Sequence, residues 1–311
     1  MNIKNTGKKI GLLFKNTFLA FMDDNAIKLS ASLSYYTIFS LAPLLLIIIF
    51  LCGIFFGTEA VRGEIFGQIN GLVGNQAAVQ IQDMIKNVKL SSSNTFAAII
   101  GVITLIFGAS GVFAEIQDSM NYIWGLKAKP KRGLIKFLKN RLMSFSMIGS
   151  VGFLLIVGLI VNALMDVFSN RLQHIFPGLT VTLFHILNVV VLFVIITLLF
   201  AIIFKSLPDG KIAYKDAFIG ASFTSFLFMI GKFAIGAYLG SSAVASTYGV
   251  AGSLIIILLW VYYTSIILYF GAEFTKIYAI NYGKKITPNA YAVYIDKHEV
   301  QIEPKVMNID S

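Results

Sequence analysis

The sequence predicts an all-α protein that crosses a membrane with six helices. Its apolar residues form long contiguous runs rather than an alternating pattern, 57% of the residues are hydrophobic and 13% are charged, and the mean hydropathy is +0.80. A bilayer core about 30 Å thick needs roughly 20 helical residues, and only helices or closed barrels satisfy every backbone polar group there. The predicted spans are residues 36–57, 96–114, 143–168, 181–204, 217–239 and 249–271.

The positive charges predict the orientation of these spans. Twenty of the 25 Lys and Arg residues fall on one side of the membrane when the spans are threaded in order: in residues 1–35, 115–142, 205–216 and 272–311. Because Lys and Arg are retained on the cytoplasmic side, both termini are predicted to be cytoplasmic. The net charge of +10 then fits contact with anionic lipid headgroups, and no zinc-finger or helix-turn-helix pattern indicates a nucleic-acid partner.

The segment before the first span is a basic leader, residues 1–35. Within it Ile10, Phe14, Phe18 and Phe21 recur at helical spacing, which predicts an interfacial helix along the cytoplasmic surface of the membrane. A solvated linker is the alternative. A second helix is predicted to start at the two adjacent aspartates that follow and to run into the first span.

The rest of the chain is predicted to form one transmembrane domain, residues 36–283, and a short tail. The long connection 58–95 carries apolar residues at helical spacing, which predicts amphipathic helices over the extracytoplasmic mouth. The tail, residues 284–311, is polar and is predicted to be mobile in the cytoplasm.

Small residues predict where the helices pack, because helices in lipid associate through close backbone approach. One stripe follows the second predicted span, and a GxxxG pattern lies in the fifth. This pattern packs helices within one chain or between two copies, so a homo-oligomer stays open. The predicted packing glycines are Gly101, Gly108, Gly111, Gly236, Gly240, Gly249 and Gly252.

Polar residues near the outer ends of the spans suggest a functional layer. They are Asn162, Asp166, His185, Asn188 and Lys232. In one interpretation they line an outward-opening cavity in which Lys232 pairs with Asp166, since ionisable groups inside membranes usually face a bundle interior. In the other, Lys232 extends to the headgroups, Asp166 sits at the interface and His185 is a core residue.

A second candidate site lies at the inner ends of the spans. Glu115 and Glu273 directly follow apolar runs, and Asp118 follows Glu115 by one helical turn. Two interpretations are open for these carboxylates. They form an inner gate, or they make ordinary ion pairs at the membrane surface.

No catalytic, metal or cofactor site is predicted. The chain has three scattered histidines and one cysteine, Cys52, which excludes an internal disulfide. It has no GxxxxGK[ST] phosphate loop, no GxSxG nucleophile motif and no GxGxxG fingerprint after a strand. Metal-dependent phosphodiester hydrolysis needs clustered carboxylates or histidines, which this pattern does not provide.

Several segments together resemble the YihY/BrkB family of bacterial inner-membrane proteins, which was long labelled ribonuclease BN-like. They are LSASLSYY at 29–36 with SLAP at 40–43, GASGVFAE at 108–115 with Asn121 and Trp124, LPD at 207–209 with Asp216, YGVAGS at 248–253, LWVYY at 259–263 and GAEF at 271–274. The resemblance implies a six-span membrane protein with cytoplasmic termini. Links of this family to virulence, envelope lipids and transport come with it, but no catalytic residue set does.

Two functions from different classes follow. The first is a transporter or lipid translocator for an amphipathic or anionic solute, indicated by the glycine-rich spans, the polar layer and the basic inner rim. The second is a non-transporting scaffold for envelope assembly or virulence-related resistance, in which the same glycines only pack helices. Ribonuclease BN-like tRNA processing is a remote third, and the sequence does not predict an enzyme.

Overall fold

The structure is a computed structural model that describes residues 3–56, 95–129, 177–241 and 250–296, with six further residues between 62 and 82. Its elements are α1 (Ile3–Asp23), α2 (Ala26–Phe56), α3 (Thr95–Ile123), β1 (Leu126–Ala128), α4 (Pro177–Ser206), β2 (Gly210–Lys211), α5 (Tyr214–Ser241), α6 (Val250–Asn281), β3 (Thr287–Pro288) and β4 (Ala292–Tyr294). Five predicted spans coincide with α2 to α6. The third predicted span, 143–168, and most of the predicted outer helices in 58–95 lie outside the described residues.

Helices α4 and α6 are long and apolar enough to cross a membrane by length and composition. The qualifying stretches are Val189–Ser206 and Ile255–Asn281. On α4, Ile186, Val190 and Val194 are exposed and recur every fourth residue, so they form one apolar stripe on the outside of the bundle. A stripe of this kind fits contact with lipid rather than water.

Helices α1 and α2 are separated by one tight turn. Asn25 has a positive φ of 51°, a left-handed conformation that Asn tolerates better than most residues, and α2 begins at the next residue. The predicted second helix therefore starts beside the aspartates and runs through most of residues 36–57. That this helix crosses a membrane stays a prediction. Helix α1 packs along the end of α6, where Phe21 contacts Phe270, and Leu13, Thr17 and Phe21 of α1 are buried.

This packing buries only part of the predicted apolar side of α1. Phe21 meets Phe270 edge to face with ring centroids 5.5 Å apart, whereas Ile10 and Phe18 are 50% and 57% exposed. The predicted placement of α1 along a membrane surface stays a prediction.

Helices α2 and α3 pack closely at two of the predicted glycines. A Cβ at Gly108 would lie 2.9 Å from Cγ of Pro43, and one at Gly111 would lie 3.1 Å from Oγ of Ser40. A larger residue at position 108 would therefore push the helices apart, and one at position 111 would require Ser40 to shift.

Helices α5 and α6 cross through a reciprocal arrangement of glycine and threonine that the sequence did not single out. Gly220 of α5 faces Thr275 of α6, while Thr224 of α5 faces Gly271 of α6. Each threonine hydroxyl donates a hydrogen bond to the carbonyl of the glycine four residues earlier on its own helix, at 2.7 Å in α5 and 2.6 Å in α6. The hydroxyls are thus satisfied without a partner from the other helix, and the two backbones come close together.

Two short antiparallel β-ladders close one end of the bundle, which adds strands to the predicted all-α fold. Strand β1 pairs with β4, and β2 pairs with β3. The segment after α6 therefore pairs first with the loop that follows α4 and then with the segment that follows α3. The prediction of a mobile tail is therefore wrong for residues 284–296. We call this end, formed by residues 121–129, 205–216 and 281–295, the ladder end.

Candidate polar site at the ladder end

The carboxylate of Asp209 fixes the loop between α4 and α5 to the end of α3. It is 1% exposed and accepts hydrogen bonds from Nε2 of Gln117 at 3.1 Å and from Nδ2 of Asn121 at 2.9 Å. The backbone N–H of Asp209 donates to Oδ1 of Asn121 at 2.7 Å. This buried charge is surrounded by donors, and we call the three residues the aspartate latch.

Two further contacts join the tail and the loops at this end. Asp216, in the first turn of α5, accepts a hydrogen bond from the backbone N–H of Lys284 at 2.8 Å and packs against Gly283. Nε1 of Trp124 donates to the carbonyl of Ala272 in α6 at 3.1 Å. The ends of α3, α5 and α6 are thereby held in one arrangement.

A second charged group, which we call the acid–lysine triad, joins α1 to α6. Nζ of Lys276 lies 3.2 Å from Oδ2 of Asp24 and 3.3 Å from Oε2 of Glu273, and the Asp24 and Glu273 carboxyl groups also interact with each other. The exposed side-chain fractions are 22% for Lys276, 10% for Asp24 and 0% for Glu273. Oε1 of Glu273 is buried without a hydrogen-bond partner among the described residues.

This triad differs from the aspartate latch in the hydrogen bonding of its buried carboxylate. Both oxygens of the Asp209 carboxylate accept a hydrogen bond, whereas Oε1 of Glu273 accepts none from the described residues. Leaving a buried charged acceptor unpaired costs several kcal/mol, so such a group is expected to serve a purpose beyond packing.

The three predicted inner-gate residues all lie toward the ladder end. Tyr269 is fully buried one turn before Glu273, and it interacts with Ser119 and electrostatically with Glu115 and Asp118 on α3. Glu115 accepts a hydrogen bond from Ser119 at 3.5 Å. The structure thus places the predicted carboxylates on two neighbouring helices, and a gating role for them stays a prediction.

The predicted outer layer is described only in part. Asn162 and Asp166 lie outside the described residues, and His185 and Asn188 lie in α4 at positions whose side chains are not described. Lys232 is half-buried in α5, directly after Gly231, whose backbone packs against the hydroxyl of Tyr263. The cavity interpretation and its alternative both stay open.

Sequence reasoning proposed Glu273 as a site residue, whereas Asp209 and Asn121 appeared only in the segments of the family resemblance and Lys276 was not singled out. Lys276 follows Glu273 by one turn, which is a signal for an ion pair on one helix face. Asp209 directly follows a proline after a long apolar run, which marks a polar turn at a helix end. Their partners Asp24 and Asn121 come from distant parts of the chain, and only the fold brings them together.

The described part of the chain contains no group of three or more His, Cys, Asp and Glu residues placed to hold a metal ion.

Comparison with known proteins identifies both the kind of protein and its family. The matched relatives are named membrane proteins, and the chain is an integral membrane protein. A family model described as Virulence factor BrkB matches residues 17–293, and the chain belongs to this family. The resemblance noted in the sequence is confirmed.

The relatives include proteins named UPF0761 membrane protein from three bacteria. The chain is 25% identical to that of Saccharophagus degradans over 270 residues, covering 86% of this chain and 59% of the relative. It is 25% identical to that of Pseudoalteromonas atlantica, covering 89% of each, and 23% identical to that of Haemophilus influenzae, covering 86% of this chain and 93% of the relative. No solved structure matches the chain at a significant level.

Proposed function

We propose that this protein moves an amphipathic or anionic solute through its helix bundle across a bacterial inner membrane. A lipid-linked solute is the first to test. Both termini and the ladder end face the cytoplasm. The orientation is supported by exposed lysines at that end, since such residues favour the anionic cytoplasmic surface. These are Lys127, Lys129, Lys211, Lys215, Lys284 and Lys285.

The observation that carries the proposal is the fully buried carboxyl group of Glu273 between helices of a membrane protein. Ionisable groups at such positions are expensive and usually mark a pathway for a solute or an ion. Its neighbours on α1 and α6 supply one positive and one further negative charge, so the local field changes when any of the three rearranges.

A lipid-translocation assay tests this function. The full chain is reconstituted into vesicles that carry fluorescent phosphatidylglycerol, and movement between leaflets is followed by quenching with an impermeant reductant. We expect the wild-type protein to move the lipid at least several-fold faster than empty vesicles and Glu273→Gln to reduce this rate. Asp23→Asn, at an exposed carboxylate beside the triad, is the matched control and retains the wild-type rate.

Rates equal to those of empty vesicles would contradict transport of this lipid class. A scaffold for envelope assembly is then the second candidate, and a specific feature favours it. The aspartate latch and the two β-ladders hold the ladder end in one hydrogen-bonded arrangement, which suits a fixed docking platform. Cross-linking in whole cells, with recovery of the same envelope partner by wild type and Glu273→Gln, would support the scaffold.

A further inference from the structure

Helix α1 runs beside a part of α6 that is long and apolar enough to lie inside a membrane. Phe21 meets Phe270 at one end of their contact, and the hydroxyl of Tyr282 donates a hydrogen bond to the carbonyl of Lys9 at the other. These two positions on α6 are 12 residues apart, which is about 18 Å along a helix. The apolar stretch Ile255–Asn281 covers nearly all of this length. Helix α1 therefore follows α6 through a range of depths rather than crossing it at one level.

An apolar stripe of α1 lies open beside this contact. It consists of four large side chains that recur every fourth residue and are between 42% and 57% exposed: Ile10, Phe14, Phe18 and Met22. Phe14 stays open on one side although its ring contacts Phe223 of α5 at 5.5 Å and Phe274 of α6 at 6.0 Å. Four such side chains on one helix face favour an apolar environment over water.

Exposed lysines lie near the amino-terminal end of α1. They are Lys8, Lys9 and, from the tail, Lys284. The tail comes close because Tyr282, two residues before Lys284, is bonded to the backbone of Lys9. The carboxylate of Asp216 is buried and accepts its hydrogen bond from the backbone of Lys284, whereas the exposed acid of α1, Asp23, is 14 residues from Lys9, about 21 Å along the helix. This end of α1 therefore presents a basic surface that is complementary to an anion.

We propose that α1 binds anionic phospholipids of the leaflet that the ladder end faces, with its apolar stripe against their acyl chains and its lysines against their phosphate groups. The depth of α1 favours lipid as the partner, because the bilayer surrounds the apolar length of α6 that α1 follows. The lysines favour anionic over neutral headgroups, since basic side chains at a membrane surface are attracted to its negative charge. The inference depends on the membrane location of the protein and goes beyond the transport of a solute.

The direction of α1 makes a lysine within the stripe region compatible with lipid. Helical side chains lean toward the amino-terminal end of their helix, which for α1 is the end beside Tyr282. Lys15 is exposed, so its methylene groups can lie along acyl chains while its ammonium group reaches the headgroups. The lysines and the stripe thus fit one orientation of the lipid, with the headgroup near Lys9 and the chains toward Phe18.

A second copy of this chain is the other occupant that the stripe suggests. Gly7 and Gly11 lie on the same side of α1 as the stripe, and a Cβ at either would meet no atom within 4 Å. Two α1 helices can approach closely at such glycines. A parallel pair would, however, place the lysines of both copies at one end, which repulsion between like charges opposes.

Spin labels measure the depth of α1 in the full chain reconstituted into vesicles of phosphatidylethanolamine and phosphatidylglycerol. Cys52 is the only cysteine, so Cys52→Ser allows single labels at Phe18→Cys on the stripe and at Asn16→Cys, which is about 200° away around the helix. Relative to the label at 16, the label at 18 should collide several-fold more often with oxygen than with a water-soluble nickel chelate. Met22→Cys is a second position on the stripe if the variant at 18 does not fold.

Spin-labelled lipids measure the preference for negative charge. The wild-type protein should immobilise phosphatidylglycerol several-fold more than phosphatidylcholine at equal concentration. Lys8→Gln combined with Lys9→Gln should reduce this preference. The matched control, Lys127→Gln combined with Lys129→Gln, removes the same charge from β1 and should retain most of it.

Three results would overturn the proposal. Equal access of the nickel chelate to positions 16 and 18 would place α1 in water. Shielding of position 18 from both oxygen and nickel would show that protein covers the stripe, and magnetic coupling between labels at 18 would identify a second copy. No preference for phosphatidylglycerol in the wild type, or an equal loss in both lysine pairs, would remove α1 as the site for anionic lipid. None of these measurements needs a transported solute, so a failure of lipid translocation leaves the inference standing.

Discussion

Replacing Gly271 by alanine should destabilise the crossing of α5 and α6 strongly. The new Cβ would lie 2.8 Å from both Cβ and Cγ2 of Thr224 and closer still to its Oγ1, a distance that real Cβ atoms do not adopt. The threonine cannot swing away freely, because its hydroxyl is bonded to the carbonyl of Gly220. The helices must therefore separate, and inserting one methyl group into a packed contact of this kind costs about 1–3 kcal/mol.

The assay is the free energy of unfolding of the purified protein in mixed micelles, measured by titration with a denaturing detergent. Gly11→Ala is the matched control, because no atom lies within 4 Å of a Cβ placed there. It should be neutral or stabilise α1 by up to about 1 kcal/mol, since alanine favours helix more than glycine does.

A double substitution identifies the contact itself. Thr224→Gly removes every side-chain atom that the new Cβ meets, so Gly271→Ala should cost less in that background than in the wild type. The close approach of α5 and α6 is contradicted if Gly271→Ala and Gly11→Ala have the same free energy of unfolding, or if Gly271→Ala costs as much beside Thr224→Gly as it does in the wild type.

Three further predictions concern the ladder end. Asn121→Ala removes two hydrogen bonds to Asp209 and leaves a buried carboxylate short of a donor, so it should lower the free energy of unfolding by about 2–4 kcal/mol in the same titration. Gly283→Ala would place a Cβ 2.5 Å from Oδ1 of Asp216 and should detach the tail, which limited proteolysis after residue 283 detects as faster cleavage. Trp124→Phe loses one hydrogen bond to α6 and should cost only about 1 kcal/mol, measured by thermal unfolding.

Each of these predictions has its own contradicting result. Unchanged stability of the Asn121 variant would mean that the aspartate latch is replaced by solvent contacts. Equal cleavage rates in wild type and the Gly283 variant would show that the tail does not depend on its packing against Asp216. If Trp124→Phe destabilises the protein more than the Asn121 variant does, the Trp124 contact contributes more to stability than the latch contact, contrary to expectation.

The helices were largely predictable because long apolar runs have one physical solution in a membrane. The predicted ends were less accurate, as hydropathy marks only the apolar part of a helix. Helix α3 continues from the predicted end at 114 to Ile123, and α6 continues from 271 to Asn281. These extensions carry polar residues whose burial depends on the loops and tail that cover them.

The candidate site was predictable only where a charge follows an apolar run. Glu115 and Glu273 stand out for that reason. Asp24 does not, because its role depends on α1 folding back onto α6 across most of the chain. The strands were also beyond sequence reasoning, since two or three residues are too few to show an alternating pattern.

The two ladders join early segments of the chain to its last segment, so they form late during assembly. Strands β3 and β4 follow α6, yet their partners β1 and β2 follow α3 and α4. The loops after those earlier helices must therefore wait, unpaired, until the final helix has been inserted. The ladders therefore form only after all the helices have been made. If synthesis stopped before residue 287, the ladders would be missing and this end of the protein would be exposed to proteases.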